Sequence, residues 1–98
     1  MAATAREIAN LITAAFDRII DNADPYDWTD ATRYNQYIAC LRTGRARATG
    51  TRTITVTVHG HYGYKATTAI DCATDNIPET YENGMITEVN PSTYVFTW

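Results

Sequence analysis

The 98-residue chain contains one serine, one lysine, two cysteines, two histidines and three prolines, and it has no long uninterrupted apolar run. Each scarcity removes a class of function. A membrane-spanning helix needs about 20 predominantly apolar residues in succession, and a secretory leader needs a basic segment followed by an apolar one. Neither pattern occurs, so a cytoplasmic protein without a membrane partner is expected. Cys40 and Cys72 are too few for a disulfide framework and are read as buried thiols, one on a helix and one on a strand. Low proline and glycine, with 45% hydrophobic and 19% charged residues, exclude disordered and collagen-like chains. The lone Ser92 and Lys65 beside many threonines and arginines reflect a bias in the base composition of the gene and carry no function.

A chain of this length forms one domain that buries about 60–70% of the surface it exposes when unfolded. The net charge of −3 hides a polarity. Residues 1–30 hold Arg6 and Arg18 against six acids, a net −4. Residues 31–70 hold six cations and no acid, and residues 71–98 hold five acids and no cation.

From Thr4, apolar residues recur at spacings of three and four (Ile8, Leu11, Ile12, Ala15, Phe16, Ile19), which predicts a helix ending near Asp21 or Asn22 before Pro25. Thr4 and Glu7 fit a capping box at its start. A second helix is expected from Asp27 or Thr29 to Thr43, with Gly44 as its stop. Residues 45–50 read as a linker. The alternation of threonine with Ile54, Val56 and Val58 predicts a strand over 51–58. A further strand is expected over 64–73, joined to it by a three-residue loop at 61–63 that sets Ile54 opposite Ile70, Val56 opposite Thr68 and Val58 opposite Ala66. Residues 85–89 and 93–98 predict two more strands, and no internal repeat is visible. The expected fold is α+β, with two N-terminal helices across one face of an antiparallel sheet of about four strands (ααββββ).

Chemistry is sought and not found. His59 and His61 stand two residues apart, but a zinc site needs three or four ligands, and Cys72 and Asp71 fall at the far end of the expected hairpin. Two exposed histidines are the expected reading, with no metal and no cofactor. Ser92 lacks the glycine-flanked strand–turn–helix setting of a nucleophile, and neither cysteine has a histidine beside it. The carboxylates from Asp17 to Asp30 read as a solvated surface rather than as acid–base pairs. Residues 42–50 have no phosphate-loop spacing. No enzyme is expected.

Two surfaces are left for binding. Seven tyrosines and two tryptophans exceed what a small core requires, and Tyr, Trp and Arg dominate the energetics of protein interfaces. Tyr26, Trp28 and Tyr62 are therefore candidate contacts, with Asp17, Asp21 and Asp24 as acidic residues able to meet a basic groove. Arg42, Arg45, Arg47 and Arg52 form a basic segment able to bind nucleic acid through counterion release, unless they pair with the acidic blocks on folding. The outer sheet face is expected to present Thr53, Thr55, Thr57 and Thr67. The expected function is a small non-enzymatic protein-binding module that occupies a surface of a larger protein or ribonucleoprotein. In size and character, though in no motif, it resembles phage and mobile-element accessory proteins, including anti-CRISPR inhibitors. The alternatives are a nucleic-acid-binding regulator using residues 42–52, and a self-associating structural subunit of virion type using the threonine face or an edge strand at 94–98.

Overall fold

Helix α1 (Ala5–Asp21) begins where Thr4 takes an extended conformation and its Oγ1 accepts the Glu7 N–H at 3.2 Å, leaving the Thr4 hydroxyl to donate to Glu7 Oε1 at 3.2 Å. The apolar stripe then buries Ile8, Ile12, Ala15 and Phe16. Asp30 caps α2 (Ala31–Arg42), its Oδ1 accepting from the Thr32 and Arg33 N–H groups at 2.8 and 3.3 Å. The expected start at residues 27–29 is displaced because Pro25–Asp27 form a separate 3₁₀ turn capped by Asp24. The computed structural model describes residues 3–59, 65–75, 77, 81 and 84–98. After α2 follow β1 (Arg45–Gly50), β2 (Thr53–Thr57), α3 (Lys65–Thr74), β3 (Met85–Asn90) and β4 (Thr93–Thr97).

The fold is α+β with a four-stranded antiparallel sheet, as expected, but two segments exchange roles. Residues 65–74 are helix, not strand. Ala66, Ala69, Ile70 and Ala73 stand three and four residues apart and all are buried, so the small face of α3 lies close against α1. This helical spacing overrides the β-branched Thr67 and Thr68, removes Thr67 from the sheet and places Cys72 on a helix, exposed rather than buried. The loop expected at 61–63 lies outside the described residues. The expected linker at 45–50 is strand β1, and it takes the place beside β2 that residues 64–73 were expected to fill.

The strand order is β1-β2-β4-β3. Strand β4 is therefore central, and the edges are β1 and β3. The sheet contains a repeat that the sequence conceals. Arg45 pairs with Thr57 and Met85 with Thr97; every position of the first hairpin has its counterpart 40 residues later, including a bulge just before each two-residue turn. The hairpins meet across β2 and β4, where Thr55 opposes Val95. Gly44 and Gly84 precede the two hairpins at equivalent positions, each against a phenylalanine ring, Phe16 and Phe96 respectively.

Helix α1 lies over β1 and against both other helices, so the helices cover one face of the sheet. Ile54, Val56, Tyr94 and Phe96 point into that layer and are buried. The Tyr94 hydroxyl donates to Glu88 Oε1 at 3.2 Å, and burial and the Glu88 charge hold the phenol above its usual pKa. Tyr81 ties the chain ends together: its hydroxyl donates to the Ala3 carbonyl at 2.6 Å, and its ring lies 5.0 Å from that of Trp98. The β1 edge is closed by Thr13, whose Oγ1 accepts the Ala46 N–H at 3.1 Å and donates to the Ala9 and Ala46 carbonyls at 3.1 and 3.4 Å.

Two substitutions test this packing by urea denaturation. Thr13→Val keeps the shape but strands the Ala46 N–H, and is expected to lower stability by about 1–3 kcal/mol. Gly44→Ala would place a Cβ 2.6 Å from the Phe16 ring and is expected to lower it by about 1–3 kcal/mol through overpacking.

Candidate functional site

None of the described residues covers the face of the sheet opposite the helices. Because side chains alternate along a strand, the register assigns this face to odd-numbered positions: Arg45, Arg47 and Thr49 of β1, and Met85, Thr87 and Val89 of β3. Between them, β2 and β4 present threonine at every outward position except Val95. None of these outward strand positions carries a carboxylate. The basic half contains a shallow groove of about 340 Å³ lined by Arg45, Ala46, Arg47, Thr55 and Thr57. The other half is apolar, with Met85 66% and Val89 61% exposed.

Local structure holds the cations in place. Gly44 and Thr43 end α2, where the last carbonyls lack helical partners. Arg45 Nη1 donates to the carbonyls of Arg42 and Gly44 at 3.1 and 2.6 Å, fixing its guanidinium at that negative helix end. Arg47 lies two residues further along β1, and Arg52 lies in the β1–β2 turn. Arg42, on the last turn of α2, completes a row of cations along the β1 side. The strand itself spans roughly 17 Å. Among the described residues the one ion pair is Arg33–Asp30, at 3.9 Å and exposed. Arg42, Arg45, Arg47 and Arg52 thus form no ion pair with a described acid.

The described acids sit elsewhere. Asp17 and Asp21 are exposed on α1, Asp71 lies on α3 and Asp75 in the turn just after it, and Glu88 turns toward the helix side. Asp24 is engaged as a cap, its Oδ1 accepting the Tyr26 N–H at 2.9 Å. Tyr26 itself is 95% exposed. Trp28 is half-buried, its ring 4.9 Å from Tyr37 and 6.1 Å edge-on to Tyr34, so it braces the turn against α2. Tyr62 and His61 lie outside the described residues. His59 is exposed, and its backbone N–H donates to Thr43 Oγ1 at 2.9 Å. Ser92 is a turn residue whose N–H donates to Asn90 Oδ1 at 2.8 Å. Among the described residues no three His, Cys, Asp or Glu side chains gather as metal ligands, and no helix is long and apolar enough to cross a membrane.

The structure therefore brings together two of the four predicted arginines, Arg45 and Arg47, with the β2 threonines Thr55 and Thr57, a grouping that a linker over residues 45–50 would not form. The signal was present in the alternation Arg45-Ala46-Arg47-Ala48-Thr49, large outside and small inside. The exposed Met85 and Val89, absent from the predicted contacts, complete the face. The chain matches no known protein family, curated protein or solved structure.

On the opposite layer, Asp71 has a pKa raised by partial burial and by Asp75, one helical turn away. Its charge therefore opposes folding at neutral pH. Asp71→Asn is expected to stabilise the protein there by about 0.2–0.5 kcal/mol, the scale of a like-charge pair four residues apart on a helix. The sign follows from linkage: the gain shrinks as pH falls through the raised folded pKa and vanishes below the unfolded one, where the wild-type carboxyl is protonated in both states. Urea denaturation at neutral and acidic pH measures it.

Proposed function

We propose that this chain is a non-enzymatic binding module that docks the open face of its sheet on a larger protein presenting carboxylates beside an apolar patch. The observation that carries the reading is the division of one uncovered face into a carboxylate-free basic half and an apolar half. An interface needs a desolvated apolar centre together with charges that set register and steer encounter, and the two halves supply both. Threonine hydroxyls between them are short and already confined by the sheet, so little side-chain freedom is lost on docking. On this reading the protein acts as an inhibitor or adaptor by occupying its partner's surface, as a phage or mobile-element protein of anti-CRISPR type would occlude a host protein or ribonucleoprotein.

A nucleic-acid partner is the second reading, favoured by the row of Arg42, Arg45, Arg47 and Arg52 without ion pairs among the described residues. Against it stands the lack of any aromatic side chain at the outward positions of the four strands, which offer bases nothing to stack on.

Affinity capture from bacterial lysate, with and without nuclease, separates the two. A stoichiometric protein partner is expected to survive nuclease, to be lost with Arg45→Glu/Arg47→Glu, and to persist with Asp17→Asn/Asp21→Asn. Nuclease-sensitive capture would transfer the function to the arginine row. Capture that depends on the α1 aspartates and ignores the arginines would overturn the assignment to this face.

A further inference from the structure

The two hairpins match position for position, yet their outer edges are treated differently. In β1 the outward-pointing backbone belongs to Ala46 and Ala48, as the Thr13 bonds to Ala46 show. The Val58 N–H to Ser92 carbonyl bond (2.9 Å) and the Trp98 N–H to Arg52 carbonyl bond (3.3 Å) fix the same alternation across the sheet. The counterparts in β3, Ile86 and Glu88, therefore turn their N–H and C=O groups to the free edge. Among the described residues nothing takes the place that Thr13 holds on β1. Of the usual guards of an edge, strand β3 has only the bulge near its end: it has no lysine and no internal proline, and the Glu88 carboxylate is held by Tyr94.

The geometry points to a second copy of this chain as the occupant, added antiparallel along β3 about a twofold axis through Thr87. In that register Ile86 of one copy and Glu88 of the other are the hydrogen-bonded pairs, so the four edge groups of each copy satisfy those of its partner. On the open face Met85 meets Val89 of the other copy, twice, and these are two of the few large exposed hydrophobics among the described residues. No like charges oppose one another at the seam. The equivalent pairing of β1 is excluded twice over, since Thr13 occupies its edge and the axis would set Arg47 against Arg47. The product is an eight-stranded sheet whose open face has an apolar centre and a row of arginines at each end. Six-residue strands make a small interface, so a weak, reversible dimer is expected rather than a permanent one.

This inference is independent of the protein partner proposed above, and its test requires no partner. Sedimentation velocity across a concentration series is expected to show one chain at low micromolar concentration and a reversible approach to two chains toward millimolar. Met85→Lys, at an exposed position, is expected to leave the circular dichroism unchanged and to hold the protein as a single chain. Thr87→Cys in a Cys72→Ser background places two thiols at the axis, where facing Cα atoms are about 4.5 Å apart and within disulfide reach. With oxidised glutathione it is expected to form a covalent dimer much faster than Thr57→Cys, two strands from the seam. A single chain at every concentration, growth beyond two chains, or equal cross-linking at both positions would overturn the proposal.

Discussion

The pairing of β2 with β4 is the constraint on which the rest of the molecule depends. Each hairpin is local in sequence, and each helix carries its own caps, but neither makes a core alone. Joining Thr53 to Thr97 and Thr57 to Thr93 puts Ile54, Val56, Tyr94 and Phe96 on one side as a continuous apolar sheet. That surface continues into β1, over which α1 lies, and α3 packs against both α1 and β4. The same ladder determines what remains outside. Wherever the inner positions are aliphatic or aromatic, the pleat forces threonine, Val95 and the arginines onto the opposite face. Core and candidate site are thus two sides of one register, and a slip of one residue would exchange them.

Much of this was legible in the sequence, and the failures have a common cause. The α1 stripe, its Thr4 start, the end of α2 near Gly44, and strands at β2, β3 and β4 were all visible, because each combines strong periodicity with a cap or a turn. Strand β1 was not, because its inner residues are Ala46 and Ala48, and alanine gives an alternation of weak amplitude. Helix α3 was missed for a related reason: its buried face is three alanines and Ile70, while Thr67 and Thr68 argue locally for a strand. Small residues are used where two elements approach closely, α1 over β1 and α3 against α1. Close approach is a tertiary demand, and it erases the contrast that a sequence pattern needs. The site inherited both errors, since the arginines were recognised as a group but had no face to occupy.

Charge follows the layers. The molecule is 18 Å across its thinnest dimension, and the Debye length in physiological salt is about 8 Å. Acids on the outer helix surfaces are therefore screened from the basic half of the open sheet face, and the formal charge of −3 does not describe what a partner approaching that face meets. The uneven distribution along the chain becomes an uneven distribution in space because the basic block contributes the β1 edge, while the described acids lie on α1, the 3₁₀ turn, the end of α3 and the helix side of β3.

The internal repeat explains why one sheet carries two kinds of surface. Among equivalent positions facing the helices, Ala46 is small beneath α1, Ile86 is larger where none of α1, α2 and α3 lies as close, and Ala48 is matched by Glu88, whose carboxylate accepts from Tyr94. Equivalent positions on the open face differ in kind: Arg45 against Met85, Arg47 against Thr87, Thr49 against Val89, and in the turns Arg52 against Ser92. None of these contrasts is demanded by the core, because the backbones and bulges of the two hairpins are the same. A solvent-facing strand is equally well served by threonine at all of them, as β2 and β4 show. Packing therefore accounts for one side of the sheet, while the gradient from guanidinium to thioether across the other is set by nothing in the core.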